Sequence, residues 1–257
     1  MTAVNYEDEW WARVYDSIYY ATRQQEHDFY VQQARSLAEP VLELACGTGT
    51  VLLDLLRLGV DAYGFDISQP MLDMLQRKMP VEQRDQTLRR ISRQNMVDFE
   101  YPSLQFGTVL IPSGSFLFLL TEDERIACLK NVHHHLRSGG RLVLNFAVPS
   151  HEHLASLTKE PRPFADLGDF TDAISGSKVH VSCRSSIELA TQLWHMDWCF
   201  AFGSELHKAT MCFRWILPEE FTFLLRLAGF ASCDVRAGFD GEQLTAAGGE
   251  AVWTAVK

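Results

Sequence analysis

Gly47 and Gly49 stand two apart in the stretch VLELACGTGT, and Asp66 closes the next apolar run, VDAYGFD. A two-glycine turn between a strand and a helix lets backbone approach a ligand with no Cβ in the way. An acid at the end of the following strand, roughly twenty residues on, can accept hydrogen bonds from both hydroxyls of a ribose. The chemistry indicated is the binding of a nucleoside-bearing ligand. A G-x-G-x-x-G turn of the nicotinamide type needs a third glycine where this chain has Leu52. The substitution shifts the reading from dinucleotides towards an adenosyl ligand without phosphates, although NAD enzymes share the first two glycines and the acid.

Other side chains offer little acid–base or metal chemistry. His133, His134 and His135 are consecutive in a helical pattern, and adjacent helical residues do not face one another. Three such imidazoles do not share one ion, and no metal site is expected. His151 and His153 fall on a loop without an acidic ligand set. His195 lies beside Asp197 on the polar alternate of a strand pattern.

The elements that must position these residues alternate regularly. VLELAC reads as a strand covered on both faces, TVLLDLLRLG as a helix ending at Gly59, and VDAYGFD as a second strand. SQPMLDMLQRKM is a helix with Ser68 as N-cap and Pro70 in its first turn. LRRISRQNM holds a third strand and FGTVLIPSG a fourth. Thr121 and Glu124 are spaced as a capping box for the next helix, with Gly139 and Gly140 expected to close it before a fifth strand, RLVLNFAV. This alternation predicts a parallel sheet with helices on both faces.

Before the first strand, residues 5–38 read as helical and are dense in aromatic rings. After Pro149 the period changes to two in SKVHVSCRSS, QLWHMDWCFAF and HKATMCFRWIL. One face of that meander carries Trp194, Met196, Trp198, Phe200, Met211, Phe213 and Trp215. PEEFTFLLRLAGF restores a helix, and ASCDVRAGF and EAVWTAVK predict two closing strands. One domain is expected: a helical lid at 1–38, a core at 39–148, the antiparallel insertion at 149–216 and a closing segment at 217–257.

The net charge of −10 gives the chain little attraction for phosphate backbones, so no nucleic acid partner is expected. The six cysteines lack any C-x-x-C pair, and most sit in apolar runs as reduced core thiols do. No apolar run reaches membrane-spanning length and no signal-like start is found. A cytoplasmic protein without a membrane partner is expected.

Taken in order, these motifs resemble those of the class I S-adenosylmethionine-dependent methyltransferases. LELACGTGT is similar to the family's first motif, with Glu43 ahead of the glycines, and YGFDISQPML to its second. RQNMVDF resembles the third, with Asn95 where relatives often carry Asp, and HLRSGGRLVLNF resembles the segment entering the fifth strand. The resemblance implies a Rossmann-like, doubly wound α/β fold with a mostly parallel seven-stranded sheet, an antiparallel β-meander being inserted after the fifth strand. It implies S-adenosyl-L-methionine as cofactor. Gly47, Gly49 and the backbone of Ala45 would line its methionine part, Glu43 preceding them, and Asp66 would hold the ribose. Ile67 and Met71 would pack on the adenine, and Asn95 and Met96 would meet its polar edge. Pro112 and Ser113 would border the methionine amino group and the methyl. Glu43, Met71 and Met96 are each also explicable as ordinary interior residues.

The fourth strand ends IPSGS, unlike the Asn/Asp-Pro-Pro-Tyr of nucleic-acid amino-methyltransferases. Tyr15–Asp16 resembles an N-terminal element of small-molecule N-methyltransferases. Several of those carry a histidine where this chain reads Phe116, Leu117 and Phe118. The expected activity is methyl transfer to a nitrogen or oxygen of a small molecule, with no catalytic base assigned. Tyr15 or Tyr19 would close over the methionine end, and Trp194 or Trp198 would border the acceptor. A non-catalytic sensor or scaffold binding the same cofactor is the alternative. An aminopropyl-transferring relative would need an acidic polyamine site that the chain lacks.

Overall fold

Val41–Leu44 is buried at every position, as a strand covered by helices on both faces must be. The computed structural model of the protein describes residues 9–33, 36, 38–81, 84–157, 163–244 and 248–257. Helices α1 (Glu9–Thr22) and α2 (Gln24–Gln33) come first, separated at Arg23. The rest of the helical expectation, at 5–8, 34, 35 and 37, lies outside the described residues. Val41–Leu44 is β1, followed by α3 (Leu52–Arg57), β2 (Ala62–Asp66), α4 (Gln69–Arg77), α5 (Arg84–Leu88), β3 (Ile91–Arg93) and β4 (Phe106–Ile111). Then come α6 (Glu122–His135) and β5 (Leu136–Val148).

Local chemistry sets the helix starts. The Ser68 hydroxyl accepts the Met71 N–H at 3.3 Å to open α4. At α6 the Thr121 hydroxyl accepts the Glu124 N–H at 3.2 Å, and the Glu124 carboxylate accepts the Thr121 N–H at 2.9 Å. The end of α6 differs from expectation. The helix stops at His135, and Gly139 and Gly140 belong to the start of β5. A Cβ on Gly140 would lie 3.1 Å from the Phe106 carbonyl oxygen, so this glycine serves a close approach to β4.

The seven-stranded sheet has the order β10-β11-β5-β4-β1-β2-β3, where β10 is Ser232–Ala237 and β11 is Gly249–Val256. Strands β3, β2, β1, β4 and β5 pair in parallel, and β11 lies antiparallel between β5 and β10. Helix α8 (Pro218–Ala228) precedes β10 and ends at Gly229 in the left-handed conformation. After β5 comes α7 (His151–Leu157). It leads into a separate antiparallel sheet of order β6-β7-β8-β9, formed by β6 (Ala165–Thr171), β7 (Lys178–Glu188), β8 (Leu193–Phe202) and β9 (Glu205–Arg214). The meander thus has a fourth strand. β6 is exposed or half-buried throughout and carries no clear apolar alternation to announce it.

Apolar side chains cover both faces of the larger sheet, with α6 and α8 on one and α3 and α4 on the other. A third cluster joins α1 and α4 to the smaller sheet through Trp11, Val14, Met71, Met74, Trp198 and Phe200. That cluster takes in most of the aromatic face of the meander, Trp194 and Trp215 lying outside it.

Candidate active site

Strand order reverses between β1 and β4, and a ligand crevice is expected outside the carboxyl ends of the strands at that point. A cavity of about 290 Å³ opens there. From β1 and its turn come Ala45 and Gly47, and from the end of β2 come Asp66 and Ile67. Met71 of α4 and the segment Asn95–Val97 after β3 close one side. Ser113, Ser115 and Phe118 after β4, together with Tyr15 of α1, form the other.

The turn after β1 is built tightly. Ala45 and Gly47 both have positive φ, at 54° and 53°, and a Cβ on Gly47 would meet no atom within 4 Å. Gly47 therefore presents open backbone to the cavity. Gly49 does other work: its φ is 76°, and a Cβ there would sit 2.9 Å from Leu75. It lets the turn pack on α4 and does not line the cavity.

Asp66 binds the turn together. Its Oδ2 accepts the Gly47 N–H at 2.7 Å and its Oδ1 the Ser68 N–H at 2.8 Å. Burial raises its pKa, against the opposing pull of the Ser68, Gly47 and Ile67 amides. A carboxylate has about four acceptor sites, so both oxygens retain capacity for ligand hydroxyls. Glu43 lies deeper, 3% exposed, with Oε2 buried and unpartnered. Burial first, then the charges of Asp66 and Glu26, push its carboxyl well above the usual range.

Several expected contacts are placed differently. Asn95 reaches the cavity, but its Oδ1 already accepts the Val97 N–H at 3.0 Å, leaving one lone pair for a ligand. Pro112 is set back from the lining, its carbonyl accepting the Ser115 hydroxyl at 2.7 Å. Tyr19 is buried behind Tyr15, with ring centroids 5.9 Å apart, and does not reach the cavity. Trp198 packs on Trp11 at 4.7 Å in the core, and Trp194 lies against His153 at 5.1 Å. Neither tryptophan lines the cavity: α1 and α4 cover Trp198, and Trp194 faces α7. The meander contributes Cys212 instead, and α6 contributes Glu124.

Helices α1 and α2 are fastened from several sides. Thr48 of the glycine turn donates to Asp16 of α1, and Lys78 pairs with the same carboxylate at 2.7 Å. Arg13 donates through Nε to Asp172 at 2.9 Å, tying α1 to the segment after β6. From α2, Glu26 is 1% exposed and reaches the end of β4, where the Ser113 hydroxyl donates to it. Arg23 donates to Glu26 at 2.7 Å, and the Asn145 amide nitrogen donates to the same carboxylate oxygen at 3.0 Å. The same amide nitrogen donates to Glu250 at 2.6 Å, while Asn145 Oδ1 accepts from Tyr30 at 2.7 Å and from the Ser113 N–H at 3.1 Å. The sequence pattern did not single out this buried polar group. Its members are far apart in the chain and only the fold brings them together.

The histidines do not converge on the cavity. His135 accepts the Tyr101 N–H through Nε2 and donates through Nδ1 to the Asn131 carbonyl, while His133 packs on Phe230 at 5.3 Å.

Residues 41–140 match a protein family described as a methyltransferase domain. Over 110 residues the chain is 30% identical to a cypemycin N-terminal methyltransferase of a Streptomyces species, spanning 43% of this chain and 42% of that relative. It is 27% identical over 229 residues to a putative methyltransferase, YqeM, of Bacillus subtilis, spanning 89% of this chain and 88% of that one. A solved S-adenosylmethionine-dependent methyltransferase from Clostridium acetobutylicum is similar with a TM-score of 0.75 at 19% identity, covering 96% of this chain and 97% of that one. The sugar N-methyltransferase KedS8 from a Streptoalloteichus species gives 0.67 at 22%, covering 95% and 92%. At these identities the solved structures speak for the fold. The family match takes in the glycine turn and Asp66, and the solved S-adenosylmethionine-dependent methyltransferases share the chain's fold.

Proposed function

We propose that the chain moves a methyl group from S-adenosylmethionine to a nitrogen of a small-molecule acceptor. The observation that carries this is the single cavity shared by Gly47, Asp66 and Ser113 at the reversal of strand order. In this reading Tyr15, Ala45 and Gly47 surround the methionine part, with Glu43 and Gly49 shaping the turn beneath it. Asp66 holds the ribose, Ile67 and Met71 flank the adenine, and Asn95 and Met96 meet its edge. Pro112 acts through the loop that presents Ser113.

The bound sulfonium supplies an electrophilic methyl. The chain's part is alignment and exclusion of water, which in model systems lowers a barrier by up to about 7–11 kcal/mol. Phe118, Leu119 and Leu120 give the cavity an apolar wall. No histidine lines it, and of its two carboxylates Asp66 accepts the turn amides and Glu124 also serves the α6 cap. A free amine needs no general base to attack, whereas a hydroxyl usually does. The likeness to a cypemycin N-terminal methyltransferase and a sugar N-methyltransferase supports nitrogen as the acceptor atom. Six free thiols support the cytoplasm as the compartment, and the net charge of −10 argues against nucleic acid as the substrate. Among the described residues no helix is long and apolar enough to cross a membrane.

S-adenosylmethionine is expected to raise the Tm where NAD does not. Transfer of labelled methyl is then read across aminosugars, peptides with free N-termini, and phenols. Methylation confined to oxygen would overturn the choice of nitrogen. Tight cofactor binding with no turnover on any of these would favour a sensor.

A further inference from the structure

Ser113 is one of three non-glycine residues with positive φ among the described residues, at 59°. A non-glycine residue in that region costs of order 1–3 kcal/mol and persists only where its surroundings hold it. Two buried side chains hold this one. Asn145 accepts its N–H at 3.1 Å, and Glu26 accepts its hydroxyl proton. Asn145 is 0% exposed and Glu26 1%. The result is a hydroxyl whose only hydrogen is committed away from the cavity that Ser113 lines. A serine oxygen has two lone pairs, so Ser113 Oγ can only accept from that side. The Tyr15 phenol lies within hydrogen-bond reach of the same hydroxyl, and with the Ser113 proton given to Glu26 it would have to donate, filling one lone pair. One remains.

Its place in the sheet matters. Asp66 ends β2 and Ser113 follows β4, with β1 between them. Two strand spacings separate the two by roughly 10 Å across the sheet. A ligand whose ribose rests on Asp66 and whose methionine end crosses the β1 turn therefore brings its reacting end towards Ser113. The ionisable groups behind Ser113 are Arg23, Glu26 and Glu250, formally one positive and two negative, burial pushing the Glu250 carboxyl up; among the described residues no second cation is hydrogen-bonded to either carboxylate.

We propose that Ser113 Oγ receives an N–H of the acceptor amine, and that Glu26 is the positioning residue that keeps this oxygen an acceptor. The inference rests on the nitrogen-methylation reading above. The acceptor's nitrogen lone pair forms the new N–C bond while the S–C bonding pair leaves with sulfur. Positive charge then arrives on the nitrogen, beside an oxygen backed by excess negative charge, and is stabilised there.

Sinefungin tests this without the natural acceptor, because it carries an amine where S-adenosylmethionine carries its methyl. S-adenosylhomocysteine carries nothing there. Wild type is expected to bind sinefungin about 10- to 100-fold more tightly than S-adenosylhomocysteine, as a charge-assisted hydrogen bond would give. Ser113→Gly removes the hydroxyl and suits the positive φ, so the fold is kept and that preference collapses towards unity. Glu26→Gln lowers the preference severalfold, with the melting temperature reporting any separate loss of packing. A preference unchanged in both variants overturns the proposal. So does an equal loss of affinity for both ligands, since that is what a purely structural role would produce. Wild type binding neither ligand would instead sink the cofactor reading on which the proposal stands.

Discussion

Replacing Asp66 by asparagine keeps the side chain's shape and removes its charge. The carboxylate now takes the Gly47 N–H at 2.7 Å on one oxygen and the Ser68 N–H at 2.8 Å on the other. An amide has one oxygen, so it satisfies one donor and turns its NH2 towards the second. A donor left unpaired costs about 1–3 kcal/mol, and beside a cavity that admits water the lower half applies, roughly 2–8 °C in Tm. Burial raises the Asp66 pKa in the folded state. The ionisable side chain therefore contributes most below its unfolded pKa, and that contribution declines as pH rises through the folded value. Asparagine has no proton to lose, so the gap between variant and wild type should narrow as pH rises above about 4. If Asp66 also accepts two ribose hydroxyls, each bond weakens by about 1–1.5 kcal/mol, and S-adenosylhomocysteine binds about 30- to 150-fold less tightly. Ligand at 100 times the wild-type Kd stabilises wild type by about 2.7 kcal/mol, but a variant 50-fold weaker by only about 0.6 kcal/mol. Thermal melts with and without ligand, checked by calorimetric titration, read both effects. Asp73→Asn, an acid on α4 bonded by Gln69 at 2.8 Å, is the control. A Kd within about threefold of wild type, with an undiminished ligand shift, would mean that Asp66 braces the turn and does not touch the ligand.

Trp198→Ala should cost about 3–5 kcal/mol in urea unfolding and leave the Kd for S-adenosylhomocysteine unchanged, because Trp198 is core packing. Lost affinity at full stability would contradict that placement. In Gly64→Ala the new Cβ falls 2.5 Å from Leu52 Cδ2, so a destabilisation of about 1–3 kcal/mol is expected, and an unchanged urea midpoint would refute it. Arg13 holds the Asp172 carboxyl well below the usual range. That stabilisation is present above the unfolded pKa and lost as pH falls through the folded one. Wild type and Asp172→Asn should therefore converge in Tm as pH drops below about 4, and a constant gap down to acid would exclude the ion pair as the source.

The parallel core was legible because its signals are local. An apolar run bounded by glycines, a serine or threonine three residues ahead of its bonding partner, and an acid closing a strand each act within a few residues. Ser68, Thr121 and Asp66 accordingly stand where spacing put them. The glycines were harder to rank. Gly47 and Gly49 look alike in the sequence, yet one faces the cavity and the other yields to Leu75, and only the packing of α4 separates them. Strand β6 was missed because an exposed edge strand needs no apolar alternation.

The aromatic face of the meander shows the same limit from the other side. Period-two spacing establishes that Trp194, Met196, Trp198 and Phe200 share a face, and it is silent on what covers that face. Here α1 and α4 cover Met196, Trp198 and Phe200 while Trp194 lies against His153 of α7, which leaves the cavity wall to Phe118 and Cys212. The adenosyl cradle, by contrast, follows from a turn and an acid joined by two neighbouring parallel strands, which the sequence determines by itself. The buried polar group behind Ser113 draws Glu26 from α2, Ser113 from the β4 loop, Asn145 from β5 and Glu250 from β11. Residues separated by up to 224 positions, from Glu26 to Glu250, meet there only because the sheet order brings their strands together. Only the tertiary structure could decide that half of the site.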